Sequence, residues 1–217
     1  MLAIRGLYAI TPDTMDQGDL LARAALALEG GAQTLQYRSK SPDEMLKRDQ
    51  ARGLAALCRR HRAVFIVNDD VELAAEVNAD GVHLGREDTA IAAARAQLGP
   101  RAVIGASCYD DLESASTAVD AGADYLAFGS FFPSSVKPCA ARPSLDVLRQ
   151  ARRRWSLPLV AIGGITADNA GQVIAAGADA VAVITAVFLA PDTRAAARAI
   201  ARLFEADARR ENLSPTQ

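Results

Sequence analysis

Four short segments of the chain resemble one another: "GAQTLQYR" from residue 31, "NADGVHLG" from 78, "GADYLAFG" from 122 and "GADAVAVI" from 177. Each joins a helix-ending Gly or Asn to an Ala, a polar residue and a β-favouring run, and successive copies start 47, 44 and 55 residues apart. That spacing holds two strand–helix units, so the copies mark strands two, four, six and eight of eight. The full set of strand-like runs is "LYAIT", "TLQYR", "AVFIVND", "GVHLG", "AVIGASC", "DYLAFG", "PLVAIGG" and "AVAVITAV". Between them, residues 18–28, 42–60, 112–121 and 193–208 are rich in Ala, Leu, Arg and Glu with apolar residues at helical spacing,. Strands alternating with helices imply a parallel sheet, and the fourfold rhythm suits closure into a single (β/α)8 barrel of the TIM type. An open doubly wound sheet is the alternative. It would want a glycine-rich dinucleotide turn after its first strand, and "AITPDTMDQG" has none,. The barrel is expected over residues 1–208, with a disordered tail at 209–217.

A chain of 217 residues, half of them hydrophobic, can bury a large core, and no Gly/Ser/Pro-rich linker divides it,. A net charge of −2 and a pI near 5.7 give no bulk attraction to nucleic acid or to an anionic membrane, so any anion site must be local,. Cys58, Cys108 and Cys139 have no CxxC or Cys/His spacing, which argues against a disulfide framework and a zinc site,. "MLAIRGLYAIT" is too short for a signal-peptide core, and the longest uncharged runs are too short to span a bilayer,. A cytoplasmic protein is expected, with a homo-oligomer left open.

In "TLQYRSK", Gln36, Arg38 and Lys40 alternate, so in a strand they share one face,. In a barrel that face is the interior, and its C-terminal end opens on the mouth where such barrels do chemistry. An anion is the natural partner of the Arg–Lys pair there. Other strand ends are polar too: Asn68 with Asp69, Asp88, Ser107, Ser130, Gly163 with Gly164, and Thr185. Asp70 is explained as the cap of the next helix, whereas Asp69 is not. Asp88 is either a helix-start acid or a ligand. Carboxylates beside Arg and Lys form salt bridges, or bind Mg²⁺ that bridges to a phosphorylated substrate; both readings stay open. "AIGGIT" and "VITAV" fall where barrels bind phosphate through backbone N–H groups, although a Gly-Gly pair also serves a tight turn,. His83, inside strand four, and His61, at a helix end, sit in no triad-like pattern,. "ARRRW" reads as a solvated helix end, with Trp155 packed on the barrel,.

The ordered set "QYRSK", "NDDVELA", "DGVHLGRED", "IGAS", "DYLAFGSFFPSSVKP", "VAIGGIT" and "AVAVITAV" resembles thiamine phosphate synthase over nearly the whole chain. The resemblance implies a TIM barrel that joins hydroxymethylpyrimidine diphosphate to a thiazole phosphate, releasing pyrophosphate. It implies that Gln36, Tyr37, Arg38, Ser39, Lys40, Asn68, Ser107 and Lys137 hold the pyrimidine diphosphate, with Arg38, Lys40, Lys137 and Ser107 serving the chemistry. Asp69 and Asp88 would hold Mg²⁺. Ser134, Ser135, Val136, Gly164, Ile184 and Thr185 would cradle the thiazole phosphate.

One departure is "PSSVK", where the family usually reads Pro-Thr-x-Thr-Lys; Val136 cannot donate a hydroxyl bond, a loss of about 1–3 kcal/mol unless a backbone N–H replaces it. Pyrophosphate is a good leaving group, so the reaction needs no protein nucleophile. A thiazole tautomerase is the nearest rival; those relatives carry a His after the strand-six "FG", where this chain has Ser130. A non-catalytic barrel binding thiamine precursors ranks below both.

Overall fold

A computed structural model describes residues 4–13, 15–86, 88, 90–133 and 144–211, with side chains through Glu205. Ser134, Ser135, Val136, Lys137 and Cys139, and the tail from residue 212, lie outside the described residues. The elements are β1 (Gly6–Ile10), α1 (Gln17–Glu29), β2 (Ala32–Tyr37), α2 (Glu44–His61), β3 (Val64–Asn68), α3 (Val71–Glu76), β4 (Gly81–Leu84) and α4 (Ile91–Leu98). They continue as β5 (Val103–Tyr109), α5 (Leu112–Asp120), β6 (Tyr125–Gly129), α6 (Asp146–Arg154), β7 (Leu159–Ile162), α7 (Ala170–Ala175), β8 (Ala180–Val183), α8 (Thr185–Phe188) and α9 (Thr193–Glu211). The eight strands form a closed parallel barrel in chain order, β1 pairing with β8. The expected fold is the observed one. Helix α9 runs three residues past the expected barrel boundary at 208, and the "VITAV" segment leaves β8 at Val183 to turn into α8.

Alternation along each strand separates two apolar layers. Tyr8, Ile10, Val64, Ile66, Val103, Tyr125 and Val160 fill the barrel, while Leu7, Leu35, Phe65, Val67, Leu126 and Phe128 meet the helices. Gly105 makes room inside: a Cβ there would lie 1.9 Å from Cζ of Tyr125, so only glycine lets that ring cross the barrel.

The polar position of the sequence repeat has a structural task. The carboxylates of Asp80, Asp124 and Asp179, each just before an even strand, accept the backbone N–H of Phe65, Ile104 and Leu159 on the preceding odd strand, at 2.8, 2.7 and 2.7 Å. Backbone N–H groups of the same three Asp residues return bonds to the carbonyls of those partners. Each Asp therefore fixes the register of two neighbouring strands at the N-terminal end of the barrel. Arg152 corrects the expectation of a solvated helix end: it donates to the carbonyls of Trp155, Leu157 and Gly177 and to Asp179. Arg153 and Arg154 are exposed as expected, and Trp155 packs against the core.

Candidate active site

The C-terminal ends of the strands surround a cavity of about 250 Å³. Gln36, Arg38, Asn68 and Ser107 line one side of it, and Gly163, Gly164, Ile184 and Thr185 another. On β2 the alternation decides who faces inward. Gln36 is buried on the inside and Arg38 follows at the mouth, while Lys40, beyond the strand, is exposed at the rim. Tyr37 corrects the expectation that all of "QYRSK" meets substrate. Its side chain points to the helices, where its hydroxyl donates to Gln50 at 2.8 Å. The Ser39 hydroxyl accepts the Ser41 N–H within its own loop, and Ser39 does not line the cavity.

Arg38 is held by two residues from the end of β1. Its guanidinium pairs with Asp13, and its backbone N–H and C=O both bond the Thr11 hydroxyl, at 2.9 and 3.1 Å. Asp13 was missed in the sequence, where "ITPD" offers no signal beyond an acid after the first strand.

Asp69 ends β3 in a left-handed conformation, φ 62°, and its carboxylate accepts from the Asn68 amide. Partial burial first, then hydrogen bonding and charge from Asp88, push Asp69 up to about 6, with Arg38 and Asn68 pulling the other way. Asp88 is not a helix cap. Helix α4 begins after Ala90 with no side-chain cap, and the Asp88 carboxylate instead accepts the Gly85 N–H beside Asp69. Asp70 caps α3 through Leu73 N–H, as expected. Two carboxylates forced together are the donor set that Mg²⁺ takes when substrate phosphate and water complete its shell. Among the described residues no group of three His, Cys, Asp or Glu side chains forms a protein-only metal cage.

Gly163 and Gly164 leave β7 with positive φ, 101° and 63°. A Cβ on Gly164 would meet the carbonyl oxygens of Pro133 and Phe132 at 2.3 and 2.6 Å, so the pair makes the turn and admits the loop after β6,. The first N–H groups of α8 have no intrahelical acceptor, and Thr185 at its start lines the same cavity as this turn.

Beneath the mouth, hydrogen bonds cross the barrel interior. Gln36 donates to the Tyr8 hydroxyl at 2.8 Å; the Tyr8 and Tyr125 hydroxyls are 2.9 Å apart. Nδ1 of His83 is 2.9 Å from the Tyr125 hydroxyl, and Nε2 is 2.9 Å from Oγ of Ser107. Burial lowers His83 to about 4 and raises both tyrosines. His83 is a satisfied interior histidine, as the sequence suggested, whereas the roles of Tyr8 and Tyr125 were not legible there. Burial also pushes the thiols of Cys58 and Cys108 up to about 12, so both are inert and unpaired,. No described helix is long and apolar enough to cross a membrane.

A family model described as thiamine monophosphate synthase matches residues 7–187. The chain belongs to the thiamine monophosphate synthase family. Within it, the thiamine-phosphate synthase of Chromobacterium violaceum is 57% identical over 203 residues, covering 94% of this chain and 98% of its own. That of Thioalkalivibrio sulfidiphilus is 55% identical over 203 residues, 93% of this chain and 96% of its own. Among solved structures, thiamine phosphate pyrophosphorylase from Pyrococcus furiosus superposes with a TM-score of 0.83 at 39% identity, covering 93% and 96% of the two chains. These likenesses bear out the family resemblance and the barrel.

Proposed function

We propose that this member of the family is a Mg²⁺-dependent transferase of thiamine biosynthesis. It would condense hydroxymethylpyrimidine diphosphate with a thiazole phosphate to give thiamine phosphate and pyrophosphate. The observation that carries the reading is one cavity with two unlike sides, each suited to an anion. Arg38, fixed by Asp13 and Thr11, lines one side, with the exposed Asp69–Asp88 pair near it but outside the cavity lining, and the Gly163–Gly164 turn and start of α8 lie on the other.

In the reaction the methylene C–O bond breaks, its electron pair leaves with pyrophosphate, and the thiazole nitrogen lone pair forms the new C–N bond. Arg38, with Lys40 at the rim, takes up negative charge gathering on the leaving group. Mg²⁺ held by Asp69 and Asp88 would supply further neutralisation of that charge. Gln36, Asn68 and Ser107 orient the pyrimidine, and Gly164, Ile184 and Thr185 hold the thiazole phosphate so that its nitrogen faces the reacting carbon. Ser134, Ser135, Val136 and Lys137, outside the described residues, keep the roles that the resemblance assigns. Ser130 supports this reading over a tautomerase, since it offers no acid or base and donates to the Phe132 carbonyl at 3.2 Å. Buried free thiols suit a cytoplasmic setting,.

The test is an assay with both phosphorylated substrates. Thiamine phosphate is expected only when both and Mg²⁺ are present, and tautomerase turnover without synthase turnover would overturn the proposal.

A further inference from the structure

We propose that Tyr8, Tyr125 and His83 are positioning residues that carry a single direction of hydrogen bonding from Gln36 to Ser107, so that the cavity is offered an acceptor by Gln36 and a donor by Ser107. The direction follows from counting hydrogens on buried groups, which leave few polar atoms unpaired. Gln36 donates to the hydroxyl of Tyr8, which is 1% exposed and whose other hydrogen-bond partner among the described residues is Tyr125. The Tyr8 hydrogen must therefore go to Tyr125, and the Tyr125 hydrogen to Nδ1 of His83. An Nδ1 that accepts leaves the ring proton on Nε2, where it meets Ser107,. A doubly protonated ring would reverse the Tyr8–Tyr125 bond and strand the Tyr8 hydrogen in the core. Ser107 accepts from His83, so its own hydrogen is free to point into the cavity.

Gln36 spends one amide N–H on Tyr8, which turns the amide so that its side-chain oxygen, without a hydrogen-bond partner among the described residues, is left for the same cavity. An acceptor and a donor facing one cavity suit an exocyclic amine and a ring nitrogen, the groups an aminopyrimidine carries. A ring with the opposite pattern, a carbonyl beside a ring N–H, meets like against like at both points. This assignment rests on the function proposed above and adds to it a basis for choosing the base. Rigidity comes from packing: the Tyr125 ring lies on Gly105 and stacks against His83, with centroids 5.5 Å apart.

Nitrogen-15 NMR of the full chain labelled at histidine reads the direction without substrate. There are two histidines, and exposed His61 serves as the reference. His83 is expected as the Nε2–H tautomer; a proton on Nδ1 would mean that the relay runs the other way and would overturn the proposal. Tyr125→Phe keeps the ring on Gly105 and cuts the relay. It should abolish the tautomer preference and raise KM for the pyrimidine diphosphate about tenfold, with KM for the thiazole phosphate within about twofold. A loss of thermal stability with tautomer and both KM values unmoved would reduce these residues to structural ones. Tyr8→Phe frees the Gln36 amide but leaves the Tyr125–His83 bond. Should Tyr125→Phe fail to fold, Tyr8→Phe is expected to raise the same KM with the tautomer kept, and an unmoved KM would overturn the relay. Nε2–H at His83 in a chain without synthase turnover would defeat the aminopyrimidine assignment while leaving the relay's direction in place.

Discussion

Asp69 is where neighbouring charge most alters a residue's behaviour at the mouth. Its folded value of about 6 stands above the ordinary 3.8, so between those pH values the folded chain keeps a proton that the unfolded chain has lost. The stability linked to that proton is complete below about pH 4 and is lost as pH rises through 6. Asp69→Asn removes the charge that meets Asp88, so its urea midpoint relative to the parent should rise from pH 5 to pH 7.5. Millimolar Mg²⁺ should narrow the difference at pH 7.5 by stabilising the parent alone. A difference that ignores both pH and Mg²⁺ would mean the carboxylates do not interact. Asp69→Ala or Asp88→Ala should lower turnover sharply while leaving the fold intact, as circular dichroism would check. Gln36 and Arg38 could be found from the sequence because a period of two is a local property of a strand. Applied strictly, the same period turns Tyr37 outward, and treating "QYRSK" as one binding unit hid that. Nothing local connects Asp13 to Arg38, 25 residues away, because the contact exists only once β1 and β2 pair.

At the scale of elements, the repeated Asp before each even strand after the second ties that strand to the one before it. In the first copy Gln33 replaces Asp and lies over Gly6 instead. Asp124 accepts from Ile104 N–H and also from Arg95 at 2.7 Å. Asp124→Ala leaves a backbone N–H and a guanidinium without their acceptor, a loss of about 2 kcal/mol for bonds to a charged group. Urea denaturation should show that loss with turnover per folded molecule unchanged, since the clasp lies at the end of the barrel remote from the cavity; a variant as stable as the parent would show the clasp to be idle. The helix start at Asp70 was read from the sequence, and the structure adds Asp16, Asp43 and Asp111, each of which likewise accepts a first-turn N–H. Helix α4, like α6, α7 and α8, starts without a side-chain cap. That frees Asp88 for the mouth.

Closure of the whole molecule sets residues far apart in the chain around one cavity. It also keeps the β2–β4 side distinct from the β7–β8 side, and this separation is testable. Arg38→Ala should raise KM for the pyrimidine diphosphate at least about tenfold, the loss of a charged contact, while thiazole phosphate binding stays within about twofold. Equal damage to both would count against separate anion sites. The sequence by itself determined the strand and helix order, the fourfold module, the face of β2 that turns inward and the family, because propensity, alternation and motif order are properties of neighbouring residues. Only the tertiary structure decided that Asp88 meets Asp69, that Asp13 holds Arg38, and that Tyr8, Tyr125 and His83 join Gln36 to Ser107. Those contacts link residues up to 117 positions apart. Their geometry is set by strand register and barrel closure, which depend on packing summed over all eight strands and are written in no single segment.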